Sequence, residues 1–292
     1  MRYIMITGAS TGIGRACVAS AIGHGYQAVA SVRTAADATS LSTEFGTHVT
    51  PIIMDVTNRD SINQAAAIVS DLLQKNCLAG LVNNAGIAVA GPSLHLAVDE
   101  FRQQFEVNFF GQIAVTQAFA PLLGSDLQRH GPAGRIINIS SLGGKLGAPY
   151  LAPYVASKHA LEGWSECLRR ELLLFGIDVI IIGPGAIATP IWRKAEQLDI
   201  AAYQHTAYGP YLRRYHDQVV AAGIHGLAAT RVGDLVLHAL TTRRPRTRYA
   251  LAPNLLMDWW LPRWLPARWI DRLAARAYGL PDKAIPRPMP EA

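Results

Sequence analysis

No stretch of this chain is apolar for long enough to cross a bilayer. The most apolar run, Leu172 to Ile182, contains Gly176 and Asp178 and reads as a helix end, a turn and a buried parallel strand. Cysteine is scarce. Cys17, Cys77 and Cys167 are widely spaced, odd in number and without metal or redox spacing, which argues against a disulfide framework or a zinc site and for reduced core or near-core residues. The first strand signal begins at residue 2, leaving no room for a signal peptide, so the expected location is cytoplasmic. Internal repeats and low-complexity tracts are missing. A global basic field is missing too. The net charge of +6 resides in residues 243–292, where ten Arg and Lys face four Asp and Glu, while the preceding residues balance at seventeen of each. That argues against nucleic acid as a partner.

What is present is an alternation of apolar strands and helical runs without a linker. Half of the 292 residues are hydrophobic, ample for one buried core. Strand signals fall at 2–7, 27–32, 49–54, 79–83, 134–139, 177–182 and about 248–251. Helical signals fall at 12–23, 35–45, 59–75, 99–123, 153–175 and 230–240, with Asp99 as the expected N-cap of the fourth. This order predicts an α/β fold, a doubly wound parallel sheet, whose strand ends near 7, 83, 140 and 183 converge on one ligand-binding edge.

The first strand runs directly into Gly8-Ala9-Ser10-Thr11-Gly12-Ile13-Gly14 and then a helix. Strand, glycine turn and helix make a phosphate site. Glycines let backbone approach a ligand, and the helix start offers free N–H groups and a positive dipole end. The spacing is Gly-x3-Gly-x-Gly rather than Gly-x-Gly-x2-Gly. The second strand carries no acid at its end before Asp37, where an NAD site would place one for the ribose hydroxyls. Arg33 stands there instead and could pair with a 2′-phosphate, which favours NADP(H). Arg15 could add positive potential or face water.

Tyr154 and Lys158 are i and i+4 on one helix face, and Ser141 precedes them by thirteen residues. A phenol ordinarily titrates near 10, and a neighbouring ammonium is expected to lower that value. A serine hydroxyl could stabilise charge developing on a carbonyl oxygen. Alternation along a strand end turns Ser140 and Ser141 opposite ways.

Together these segments resemble the short-chain dehydrogenase/reductase family over about residues 2–190. Thr7 to Gly14 is similar to its cofactor turn. Asp55, followed by Val56, matches its adenine-side acid, and Asn83-Asn84-Ala85-Gly86 its fourth-strand motif. Asn108 matches its structural-catalytic asparagine, and Pro184-Gly185-Ala186-Ile187-Ala188-Thr189 its nicotinamide segment. The resemblance implies a single-domain Rossmann-type fold and an oxidoreductase interconverting an alcohol and a ketone or aldehyde. It implies that Tyr154 exchanges the proton, Lys158 lowers the tyrosine pKa and binds the nicotinamide ribose, Ser141 polarises the carbonyl and Asn108 holds a relay water. It also implies that Gly8, Ser10, Thr11, Gly12, Ile13, Gly14, Arg33, Asp55, Val56, Asn84, Ala85, Gly86, Pro184, Gly185, Ile187 and Thr189 line the cofactor. The helices near 100–123 and 153–175 are the family's usual surfaces for a homodimer or homotetramer. The alternative reading is a non-catalytic dinucleotide-binding redox sensor.

The expected catalytic domain spans 1–252. Within it, residues 191–226 hold Trp192, Tyr203, Tyr208, Tyr211 and Tyr215 and are expected to form a lid. Those aromatics, with Leu142, Gly144 and Tyr150 flanking the catalytic pair, suggest a bulky lipophilic substrate of the hydroxysteroid and retinol dehydrogenase-like branch, or else pack on the core. Residues 253–292 form an extension in which Trp259, Trp260, Trp264 and Trp269 lie among arginines. Such a segment could lie in a membrane interface, cap the pocket or pack on a partner subunit.

Overall fold

The computed structural model describes residues 1–192 and 200–281. Part of the expected lid, 193–199, and the end of the extension, 282–292, lie outside the described residues. Seven parallel strands form one sheet in the order β3-β2-β1-β4-β5-β6-β9. They are β1 (Tyr3–Ile6), β2 (Gln27–Val32), β3 (Val49–Ile53), β4 (Gly80–Asn83), β5 (Arg135–Ile139), β6 (Asp178–Pro184) and β9 (Arg248–Leu251). A two-stranded ladder, β7 (Ile187–Ala188) and β8 (Leu227–Ala228), lies apart. The strands β1, β4, β5 and β6 are near-continuous apolar runs because helices cover both faces. One face packs Ile4, Ile6, Val82, Ile137 and Ile180 under α1 (Gly12–Gly23) and under the helix Ala229–Thr241. The other packs Met5, Leu81, Ile136 and Val179 under α3 (Arg59–Leu73) and Phe119. Alternate residues of each strand thus enter opposite cores.

The chain order reverses between β1 and β4, so the loops that follow them meet at the switch point where such sheets take ligands. α2 (Ala35–Phe45) follows β2, capped by the Thr34 hydroxyl, which accepts from Asp37 N at 3.2 Å.

The fourth helical run departs from expectation. It begins at Val98, and the Glu100 carboxylate accepts from Ala97 N at 2.9 Å, so Asp99 lies inside the first turn rather than capping it. There Asp99 pairs with Arg102 at 2.6 Å. The run is also not continuous. α4 (Val98–Phe105) passes through a π turn, Glu106–Phe110, into α5 (Gly111–Phe119). α6 (Ala152–Glu171) carries the Tyr-Lys pair, α7 (Gly209–Ile224) belongs to the expected lid, and α8 is Ala229–Thr241. The extension turns at Leu256–Trp260, makes a short helix at Leu261–Trp264 and ends in α9 (Ala267–Tyr278), closed by Gly279 at φ 73°.

Candidate active site

Gly8 and Gly12 have φ of 64° and 56°, a region that L side chains rarely enter. A Cβ on Gly14 would lie 2.3 Å from the Gly8 carbonyl oxygen, so α1 starts in direct contact with the turn. Thr11 makes no side-chain cap, leaving the first N–H groups of α1 free for an anion beside Ser10 and Ile13. The turn is locked to the β4 loop. The Thr7 hydroxyl accepts from Asn84 N at 2.9 Å and Ala85 N at 3.0 Å, and Asn84 Nδ2 donates to the carbonyls of Thr7 and Gly8 at 2.9 and 3.0 Å. A Cβ on Gly8 would fall 2.8 Å from Ala85 Cα. The missing side chains are what keep this cradle open, and its chemistry fits a pyrophosphate. Arg15 is partly exposed but engaged. It pairs with Glu44 and donates to the Ser10 carbonyl at 3.0 Å, tying the turn to α2 with its charge neutralised.

At the expected adenine side, the Asp55 carboxylate accepts from Thr57 N at 2.9 Å and from the Thr57 hydroxyl at 2.8 Å. These bonds, with the nearby Arg33 charge, hold it below the usual carboxylate range. Val56 is buried next to it. Arg33 is exposed just past the end of β2, one position beyond the Val32–Ile53 register pair. On the far side, Thr189 reaches the glycine turn, its Cβ 3.2 Å from where a Gly12 Cβ would stand. Gly185 N donates to the Leu251 carbonyl at 2.7 Å, Pro184 ends β6, and Ile187 is buried in the β7–β8 ladder.

Ser141, Tyr154 and Lys158 come together at the end of β5. Ser141 Oγ accepts from Gly143 N at 3.0 Å, and a Cβ on Gly143 would stand 3.4 Å from that oxygen and 3.7 Å from Tyr154 Cε1, so the two side chains border one spot. Lys158 is 4% exposed, its Nζ donates to the Ile139 carbonyl at 2.8 Å and lies 5.9 Å from the Tyr154 ring centroid. Ser140 points the other way, donating to Glu162 at 2.8 Å, so the alternation argument holds. Burial pushes the Lys158 ammonium down to about 8 against the opposing pull of Glu162. The expectation that Lys158 lowers the phenol is corrected here. Burial dominates and raises Tyr154, with only the Ser141 side chain lowering it, while the ammonium donates to the Ile139 carbonyl.

Asn108 is fully buried in the π turn, a distortion frequent at functional sites. Its Oδ1 accepts from Ile87 N at 2.8 Å. Its Nδ2 donates to the Ile87 carbonyl at 3.0 Å and to the Ser157 hydroxyl at 3.3 Å, and that hydroxyl donates to the Tyr154 carbonyl at 2.7 Å. Asn108 thus reaches α6 through Ser157. A Cβ on Gly86 would stand 3.2 Å from Asn108 Oδ1.

The residues expected at the substrate differ in what they offer. Leu142 packs on Gly185, where a Cβ would meet its Cδ1 at 3.1 Å. Gly144 is buried over Ser140 and Glu162 and presents only backbone. Tyr150 adopts φ 60° and sits in an aromatic cluster, its ring 4.9 Å from Tyr215 and 6.0 Å from Tyr208. Its buried hydroxyl has no hydrogen-bond partner among the described residues, and burial raises its pKa. Trp192 donates to the Ile187 carbonyl at 2.7 Å and covers Gly223 of α7, so its ring fastens the expected lid to β7.

Ser157, Glu162 and Arg248 are in the site's framework without having been singled out from sequence. Glu162 had a signal, standing four residues beyond Lys158 on the same helix face. Arg248 had none, being 86 positions away from the carboxylate it pairs with.

A parallel sheet with a phosphate turn at its switch point, beside a serine, tyrosine and lysine, defines a dinucleotide-dependent oxidoreductase site. The family model for short chain dehydrogenase matches residues 2–199, and the chain belongs to the short-chain dehydrogenase/reductase family of oxidoreductases. It is 34% identical to an NADPH-dependent 3-dehydrocapnine reductase of Ornithobacterium rhinotracheale, over 94% of this chain and 96% of that one. It is 32% identical to human retinol dehydrogenase 5, over 97% and 91%. Among solved structures, a short chain dehydrogenase/reductase from Burkholderia phymatum in complex with NAD superposes with TM-score 0.75 at 25% identity, covering 93% of this chain and 95% of that one.

Proposed function

We propose that the protein is an NADP(H)-dependent oxidoreductase that interconverts a lipophilic alcohol and its ketone or aldehyde. The observation that carries the reading is the convergence of Ser141, Tyr154 and buried Lys158 at the sheet edge where the glycine cradle opens. The bound nicotinamide would supply or accept hydride. Tyr154 transfers the proton to or from the substrate oxygen, and Ser141 orients that oxygen and stabilises its charge. Lys158, buried beside the phenol, is assigned to the nicotinamide ribose. Asn108 fixes the Ile87 backbone and α6 and would hold the relay water. Arg33, exposed beside Asp55, is the partner assigned to a 2′-phosphate, a reading in line with the NADPH-dependent relative. The expected lid and the Tyr150 cluster give the substrate side its apolar aromatic wall. The retinol dehydrogenase relative acts on a substrate of that character. Residues 1–252 are assigned as the catalytic unit and the extension from 253 as an appendage that also meets a membrane surface.

The test is fluorescence titration with NADPH and NADH, then cofactor oxidation against small and lipophilic carbonyls. Tyr154→Phe is expected to abolish turnover and leave NADPH affinity nearly unchanged. Tight NADPH binding without turnover on any carbonyl would favour the redox-sensor reading.

A further inference from the structure

We infer that Arg248 is a positioning residue for Ser141 and that Trp259 of the C-terminal extension holds it in place. The inference rests on the assignment of Ser141 to the reaction. Arg248 opens the edge strand β9. Its Nε donates to both oxygens of Glu162 at 3.1 and 3.0 Å, and Nη2 donates to Oε1 at 3.0 Å and to the Ser141 carbonyl at 3.2 Å. Glu162 is 1% exposed and also accepts from the Ser140 hydroxyl, with Lys145 Nζ at 3.7 Å. One buried carboxylate therefore joins α6, one turn past Lys158, to the two serines at the end of β5. A planar guanidinium fork fixes that geometry in a way a point charge would not.

The space is made for it. A Cβ on Gly183 would lie 2.4 Å from Arg248 Nη2, and a Cβ on Gly144 would lie 2.5 Å from Ser140 Oγ and 2.9 Å from Glu162 Cγ. Trp259 closes the assembly. It is 4% exposed, with Arg248 Cζ 4.0 Å from its ring centroid and Arg263 Cζ 4.4 Å from it. Two guanidiniums on one indole, Arg248 largely buried and Arg263 exposed, make a cation–π clamp. Arg248 Nη1 is buried without an acceptor, so the guanidinium depends the more on that ring. An ion pair serving stability alone would end at Glu162. The bond to the Ser141 carbonyl instead fixes the peptide whose side chain meets Tyr154.

Trp259→Phe keeps a π face, whereas Trp259→Leu keeps only apolar bulk. In the full chain, with NADPH and decanal or the best carbonyl of the panel, Trp259→Leu is expected to lower kcat about tenfold. KM and NADPH affinity should stay within about twofold, and Trp259→Phe should recover most of the loss. Amide hydrogen exchange across Ser141 to Leu146, which needs no turnover, should rise in Trp259→Leu and not in Trp259→Phe. Unchanged exchange and kcat in Trp259→Leu would overturn the inference, as would equal effects in both variants. A wild-type protein that reduces no carbonyl would instead defeat the functional reading, and the exchange result would still judge the clamp.

Discussion

Burial acts in opposite directions on the two groups of the Tyr154–Lys158 pair. It raises the phenol and brings the ammonium down to about 8. Below that value Lys158 carries its charge, and above it the charge is lost while Tyr154 still holds its proton. Carbonyl reduction at saturating NADPH is therefore expected to fall as pH rises past about 8, read from kcat between pH 6 and 10. Stability at alkaline pH follows a different set. Cys17 is pushed up to about 12 from 9.0, and Tyr150, Tyr154, Tyr215 and Tyr278 are all raised from 10.0 by burial. The unfolded chain loses these protons first, so each group removes stability as pH climbs through its unfolded value. Lys158 has the reverse sign, since between about 8 and 10.5 the unfolded chain binds the extra proton and the fold gains. With Cys77, also raised from 9.0 by burial, six groups oppose one, and thermal melting is expected to move to lower temperature from pH 9 to 11. A midpoint that rises over that interval would contradict the buried positions of these side chains.

Elements differ in how much of themselves they announce. At the end of β2 the sequence lacks an acid and has Arg33 in its place, and the structure leaves that arginine exposed. Arg33→Asp is expected to weaken NADPH binding by about 2 kcal/mol, roughly thirtyfold, through loss of a charged hydrogen bond. The added carboxylate should improve NADH. An unchanged ratio of the two dissociation constants would show that Arg33 stays in solvent. The parallel strands were legible from their unbroken apolar runs, and α1 from the glycines before it. The π turn at Asn108 was not, since a helix with one longer hydrogen-bond step keeps almost the same apolar spacing. Nor was Asp99's place inside the first turn, because Glu100 reaching back to Ala97 depends on side-chain geometry. Ser141, Tyr154 and Lys158 were legible from spacing and resemblance, but the sign of the tyrosine shift depends on burial that only the packed fold supplies.

At the scale of the whole molecule, charge and apolar surface are separated along the chain, and the extension holds both. Trp259 is drawn inward between two arginines, while Trp260, Trp264 and Trp269 face outward, the last two 75% and 59% exposed. On α9, Ile270, Ala274, Ala275 and Tyr278 are half-buried, and Tyr278 packs on Tyr215 of α7 at 4.8 Å. Trp269 and Leu273 remain exposed, as do Arg268, Arg272 and Arg276. No helix among the described residues is long and apolar enough to cross a membrane, so any contact is made in the plane of its surface. With Arg263 there are four exposed arginines, each worth about 1 kcal/mol beside an anionic leaflet and screened within about 8 Å at physiological salt. The full chain is therefore expected to float with phosphatidylserine-containing vesicles at low salt, weakly at high salt, and not with neutral vesicles. Changing Trp260, Trp264 and Trp269 together to Ser, with Trp259 left in place, should abolish flotation while kcat on a water-soluble aldehyde is retained. If the triple variant floats as the native chain does, the outward tryptophans are not the contact. If neither floats, these side chains must be covered by something other than lipid.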